Sequence, residues 1–117
     1  MTLTMKRGTT KSIVMTVKEN GAALNVTGFS FWFTAKNNYE DADSAKVFQK
    51  TVGSGITLTT PASGIITVKL SPSDTSGLPP HTTRLYYDMK MKDGSANVYS
   101  ILSGELVVEP DVTNTTS

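Results

Sequence analysis

His81 is the only histidine of the 117-residue chain, and it stands in Pro79-Pro80-His81-Thr82-Thr83 with no carboxylate within several residues in sequence. A histidine is the side chain best placed to exchange protons near neutral pH. Triad partners meet in space, so spacing alone does not exclude a histidine-dependent site. The chain nevertheless has no nucleophile elbow, no glycine-rich phosphate loop and no histidine pair at zinc-ligand spacing. Carboxylates offer two further combinations. Asp74 with Asp88, or Glu40 with Glu105, could act as the acid and base of glycoside cleavage, but nothing in the sequence sets either pair across a cleft. Glu40, Asp41 and Asp43 could hold a hard cation, yet they lack the twelve-residue loop, internal glycine and closing glutamate of a recognised calcium motif. They read as a solvated acidic loop. Asp74 follows Ser71-Pro72-Ser73 and is best explained as the cap of a helical turn, for which no partner elsewhere in the chain is evident. The expectation is a protein that is not an enzyme, with no catalytic residue, no cofactor and no metal.

The aromatic residues suit contact better than catalysis. Trp32 alternates with Phe31 and Phe33 and so falls on the face opposite the phenylalanines, among Ser30, Thr34 and Lys36. It either lies under a neighbouring loop or marks a contact surface, tryptophan being enriched at interface anchors. Trp32, Tyr39, Tyr86 and Tyr99 are the candidate interface residues. If their strands are neighbours, Lys36, Lys90 and Lys92 line the same face as Trp32 and Tyr86. Such a face could bind a carbohydrate or stack on a base, against the plainer reading of a solvated face whose lysines discourage edge pairing.

Composition narrows the remaining classes. With no cysteine in the chain, disulfides, thiolate metal sites and cysteine nucleophiles are unavailable, and stability must come from packing. Eleven basic against ten acidic side chains leave a net charge of +1, too balanced for the electrostatic footprint of a nucleic-acid binder. No apolar run approaches a membrane span, and Met1 to Gly8 lacks the apolar centre of a signal peptide. Threonine, with 18 copies, joins valine and isoleucine in favouring pleated, half-buried surfaces.

Those residues must be positioned by strands. Leu3 and Met5, then Ile13, Met15 and Val17, alternate with polar neighbours on either side of Gly8, where a first strand breaks and switches sheets. Asn20-Gly21 is the strongest short turn signal and folds Lys18 back toward Leu24 and Val26. Phe29, Phe31, Phe33 and Ala35 put one apolar face into the core. Ile56–Thr60 and Ile65–Leu70 form a hairpin closed by Pro61-Ala62-Ser63-Gly64, and the capped turn at Ser71 follows at once. Leu85, Tyr87, Met89 and Met91 share a face, and Asp93-Gly94-Ser95 reverses the chain into a final strand in which Gly104 signals a bulge. Seven to nine short strands with turn signals every 8 to 12 residues point to an all-β fold, an immunoglobulin-like antiparallel β-sandwich with one short helical turn, a small β-barrel being the alternative. Residues 1–110 make the single domain and residues 111–117 a polar tail.

Taken in order, Leu24-Asn25-Val26-Thr27-Gly28, Gly53-Ser54-Gly55-Ile56, Ala62-Ser63-Gly64-Ile65-Ile66-Thr67-Val68, Leu70-Ser71-Pro72-Ser73-Asp74-Thr75, Leu78-Pro79, Tyr86-Tyr87-Asp88-Met89, Leu102-Ser103-Gly104 and Val107-Val108-Glu109-Pro110-Asp111-Val112-Thr113 span nearly the whole chain. In these segments the chain resembles a widespread family of immunoglobulin-like virion proteins of tailed bacteriophages, including the N-terminal domain of phage upper baseplate proteins. The resemblance implies a structural module that attaches virion components to one another. It brings no active site. Its implied partners are other virion proteins of the capsid or of the tail and baseplate, with a homo-oligomer inside the particle and neither nucleic acid nor membrane. Upper baseplate proteins extend beyond this domain, whereas this chain ends seven residues after Pro110. That departure tilts the expected place in the virion toward capsid decoration, with an adaptor of the neck, tail or baseplate as the alternative and a carbohydrate or host-surface binding module as a further one.

Overall fold

The computed structural model describes residues 2–38, 40–42, 45–79 and 81–110. Tyr39, Asp43 and the tail 111–117 lie outside them. The strands are β1 (Thr2–Lys6), β2 (Lys11–Thr16), β3 (Lys18–Glu19), β4 (Ala22–Ala23), β5 (Ser30–Lys36), β6 (Phe48–Val52), β7 (Gly55–Thr60), β8 (Ile65–Leu70), β9 (Thr83–Lys92) and β10 (Val98–Glu109), built on alternating apolar residues except for the short exposed pair β3 and β4, with a 3₁₀ turn (Pro61–Ser63) between β7 and β8 and a helical turn, α1 (Pro72–Thr75), between β8 and β9. The protein is all-β. Eight strands form one sheet in the order β1-β10-β9-β5-β6-β7-β8-β2, and β3 pairs with β4 apart from it.

Two joints decide the shape of that sheet. Where β6 meets β7 the pairing links Thr51 to Gly55 and Val52 to Ile56, residues only four apart in the chain. Ser54 N–H donates to Thr51 O at 2.9 Å and Gly53 N–H to Ile56 O at 3.0 Å. This is a corner in a single path, and it folds β7-β8-β2 away from the remaining five strands. The second joint is at Gly8, whose φ of 71° suits the residue type. It connects β1 to β2, which stand at opposite ends of the strand order. The two outer edges of the sheet are thereby drawn together, and the sheet curls nearly into a barrel. The break expected at Gly8 is thus present, but the switch of sheets is not: β1 and β2 are the two ends of one sheet, whose curl brings them close enough for a single glycine turn to join them. Pairing is antiparallel within the β2–β8, β5–β6, β5–β9, β7–β8 and β9–β10 ladders, but β1 runs parallel to β10, from Thr2 opposite Glu105 to Lys6 opposite Glu109.

The interior follows the period-two pattern. Phe31, Phe33 and Ala35 of β5, Leu85, Tyr87, Met89 and Met91 of β9, Ile66, Val68 and Leu70 of β8, and Leu106 and Val108 of β10 are all buried. Phe33 stacks on Tyr87 at 5.1 Å between centroids and on Phe48 at 6.2 Å. Each of the large apolar side chains among them stabilises the fold by roughly 1.5–3 kcal/mol. Phe29 lies ahead of β5 and packs only partly against this core.

Asn20 and Gly21 both take positive φ, 53° and 81°, and close β3 onto β4 with Lys18 opposite Ala23. This is the two-residue turn that Asn-Gly favours. The bulge in β10 is not where the glycine suggests. Gly104 pairs in register with Tyr87, and the irregularity falls between Ser100 and Leu102. A glycine opposite the bulky core residue Tyr87 fits the ladder without breaking it, while the extra residue, Ile101, is taken up nearer the hairpin end.

Candidate functional site

Asp74 is held at the corner of the fold. Ser71 supplies the N-cap and Pro72 the first residue of α1, and the Asp74 carboxylate turns back to accept the Ser71 N–H at 2.7 Å. Lys50 of β6 reaches the same carboxylate, with Nζ 2.9 Å from Oδ1 and 2.7 Å from Oδ2. Side-chain exposures of 13% for Lys50 and 12% for Asp74 make this a largely buried pair. The expectation that Asp74 has no partner is therefore corrected. The signal was Lys50 itself, which shares the inward parity of buried Phe48 and places Nζ 6.0 Å from the Phe48 ring centroid. Gly55 leaves room for it, because a Cβ at that position would collide with the Lys50 stem. Both oxygens are engaged, by a cation and a backbone N–H, so Asp74 anchors the start of α1 to β6.

The same corner is tied to the Gly8 crossing. Buried Thr75 accepts the Gly8 N–H on Oγ1 at 2.8 Å, and Arg7 donates to Leu78 O at 2.8 Å. The segment Ser71 to Leu78 thus fixes the place where β1 leaves for the far edge.

The other candidate chemistry stays apart. Glu105 pairs with Arg84 at 3.3 Å, and Glu40 sits in an exposed turn. Asp88 stands on the outer face of β9 and borders two grooves, neither of which Asp74 lines. His81 is exposed, its Nδ1 3.1 Å from Thr82 O. Asp41 accepts the Asn38 N–H at 3.2 Å and offers its carbonyl to Lys36 Nζ at 2.9 Å. Among the described residues no group of three or more His, Asp or Glu side chains is placed to hold a metal ion, and no helix is long and apolar enough to cross a membrane.

The outer face of β5 and β9 does assemble part of the aromatic set. The strands are neighbours, with Trp32 opposite Lys90, Thr34 opposite Asp88 and Lys36 opposite Tyr86. Trp32 is half-buried and lines an open groove of about 590 Å³ with Thr34, Lys36, Gln49, Asp88, Lys90 and Val98. Gln49 Nε2 donates to Thr34 Oγ1 at 2.9 Å, so the amide is held in place. A second groove of about 180 Å³ shares Thr34, Lys36 and Asp88 and continues to Tyr86. Trp32 and Tyr86 therefore belong to one surface.

Tyr99 does not join them. It pairs with the inward-facing Met91 and lines an apolar groove with Phe29, Leu24 and Ile101 at the end of the sheet. Asp93 organises the β9–β10 turn, accepting the Ser95 N–H at 2.9 Å and the Asn97 N–H at 3.0 Å, while Ala96 takes a φ of 66°. The Asn97 N–H, more than any other neighbour, holds the Asp93 carboxyl below the ordinary aspartate value of 3.8. A depressed folded-state pKa means that the contribution of this turn is present above the ordinary carboxylate range and is lost as pH falls through the lower, folded value. An NMR titration of the Asp93 carboxyl is expected to give a midpoint below 3.8, and Asp93→Ala is expected to broaden the 93–97 amide signals at neutral pH.

Comparison of the chain with protein-family models and with curated proteins gives no match.

Proposed function

We propose that the protein is a non-enzymatic structural component of a tailed-phage virion, an immunoglobulin-like attachment module that binds other virion proteins as one copy in a symmetric lattice or ring. The observation that carries this reading is that the segments with the family resemblance converge on one packed region. Ile56 pairs with Val68, Tyr87 pairs with Gly104, and Gly64 lies so close to Leu24 that a Cβ at position 64 would sit 2.6 Å from Leu24 O. Asp74, from the next resembling segment, pairs with Lys50 beside Gly55, which belongs to another. The resembling segments are thus neighbours within one packed domain, which supports reading them together. Capsid decoration is the leading placement, and an adaptor of the neck, tail or baseplate is the second.

Purified protein added back to particles from which it has been removed tests this. Saturable rebinding is expected, with hundreds of copies per particle for decoration and a few to a few tens for a ring. A protein that stays monomeric and sediments apart from the particles would overturn the proposal.

A further inference from the structure

We infer that the outer face of β5 and β9 is a binding site for a neutral oligosaccharide, with Trp32 and Tyr86 as stacking platforms and Asp88 between them as the hydroxyl acceptor. The inference does not rest on the virion reading. Trp32 and Tyr86 lie on adjacent strands, and the rows Trp32–Lys90 and Lys36–Tyr86 are four residues apart along β5. At about 3.3 Å per residue this separates the two rings by roughly 13 Å along the strands, a span for several linked rings and too long for one. Between the two rows stands Asp88, half-buried and bordering both grooves. Among the described residues its carboxylate makes no ion pair or side-chain hydrogen bond.

A half-buried carboxylate without a partner gains from a ligand that brings donors. Hydroxyl groups are such donors, and an ionised carboxylate can accept from two of them. Gln49 adds a second acceptor: its Nε2 is committed to Thr34 Oγ1, which leaves Oε1 for the ligand. Lys90, opposite Trp32 on the same face, supplies a donor for a ring or hydroxyl oxygen. The larger groove, at about 590 Å³, falls within the size of ordinary small-ligand sites, and a few fixed polar groups around an aromatic surface are what such sites use for orientation. Lys36 also lines this groove, but its Nζ is directed to Asp41 O at 2.9 Å, so Lys90 and Asp88 offer one cation and one anion at the site, a balance that suits a hydroxyl-rich, uncharged ring.

Trp32 is the only tryptophan in the chain, so its emission reports on the site directly. The full chain is titrated with trisaccharides of glucose, galactose, mannose and N-acetylglucosamine, with the matching monosaccharides, and with adenosine monophosphate. At least one trisaccharide is expected to shift Trp32 emission saturably, with a dissociation constant on the order of 1 mM or tighter, and its monosaccharide to bind at least about tenfold more weakly. Asp88→Ala is expected to weaken binding by about tenfold or more, the loss of a hydrogen bond to a charged group. Val14→Ala, on the exposed face of β2, leaves the titration unchanged. Heteronuclear NMR on the same samples should move the Trp32 indole and the Tyr86 amide together. No saturable response to any trisaccharide, a response to the nucleotide alone, or a sugar response that Asp88→Ala leaves intact would overturn the inference.

Discussion

Gly64→Ala is expected to destabilise the protein by about 3–5 kcal/mol, a large share of the roughly 5–15 kcal/mol that holds a domain together. Gly64 takes a φ of 72° at the end of the 3₁₀ turn Pro61–Ser63. A Cβ there would sit 2.6 Å from both Val17 O and Leu24 O. Left-handed backbone costs a non-glycine residue about 1–2 kcal/mol. Backing the turn away from two carbonyls costs about 1–3 kcal/mol more. That movement also weakens the bonds from Val17 N–H to Gly64 O and from Val26 N–H to Pro61 O, each worth about 1 kcal/mol. Chemical denaturation checks the sum. Gly77→Ala is the control, since its Cβ would meet nothing within 4 Å and its φ is not in the positive region. It should change stability by less than about 0.5 kcal/mol.

Asp74→Ala should cost a similar amount, about 3–5 kcal/mol, because it strands the Lys50 ammonium in a mostly buried position. It also removes the acceptor for the Ser71 N–H at the start of α1, a loss of about 1 kcal/mol that belongs to the cap alone. Lys50→Met should cost less than Asp74→Ala, since Asp74 keeps that N–H. The double variant Lys50→Met with Asp74→Leu should recover much of the deficit, as replacing a buried pair by apolar groups of similar size is often near neutral. A thermodynamic cycle over the two sites, read by denaturant midpoints, separates the pair from the cap. Gly55→Ala belongs to the same cluster: its Cβ displaces the Lys50 stem, so the part of its cost beyond the strain of a φ of 102° should shrink when Lys50 is alanine, which lacks Cγ and Cδ.

How far the sequence reaches is clear at these positions. The Ile56–Leu70 hairpin, the capped turn at Ser71 and the break at Gly8 were legible because each rests on local chemistry: strand alternation, a proline at the first helical position and a glycine that accepts positive φ. The inward faces of β5 and β9 were legible for the same reason. What Lys50 does was not, because a charge on a core-facing position has a meaning only when the partner 24 residues away is known to lie above it. The bulge at Ile101 was misread because a glycine is a local signal, whereas register is set by the whole β9–β10 ladder. Trp32 and Tyr86 were individually visible. That they flank one carboxylate follows from the β5–β9 register, which no local pattern fixes. Tyr99 was grouped with them on residue type alone, and its pairing with Met91 places it on the other side of the sheet.

Attachment within a virion is most directly tested by quantitative mass spectrometry of tailed-phage particles purified by gradient from the culture that produces this chain. The chain should copurify at a fixed ratio to the major capsid protein and stay bound through washing. Its recovery only from the unassembled fraction, as a monomer and in no fixed ratio to any particle protein, would contradict the account.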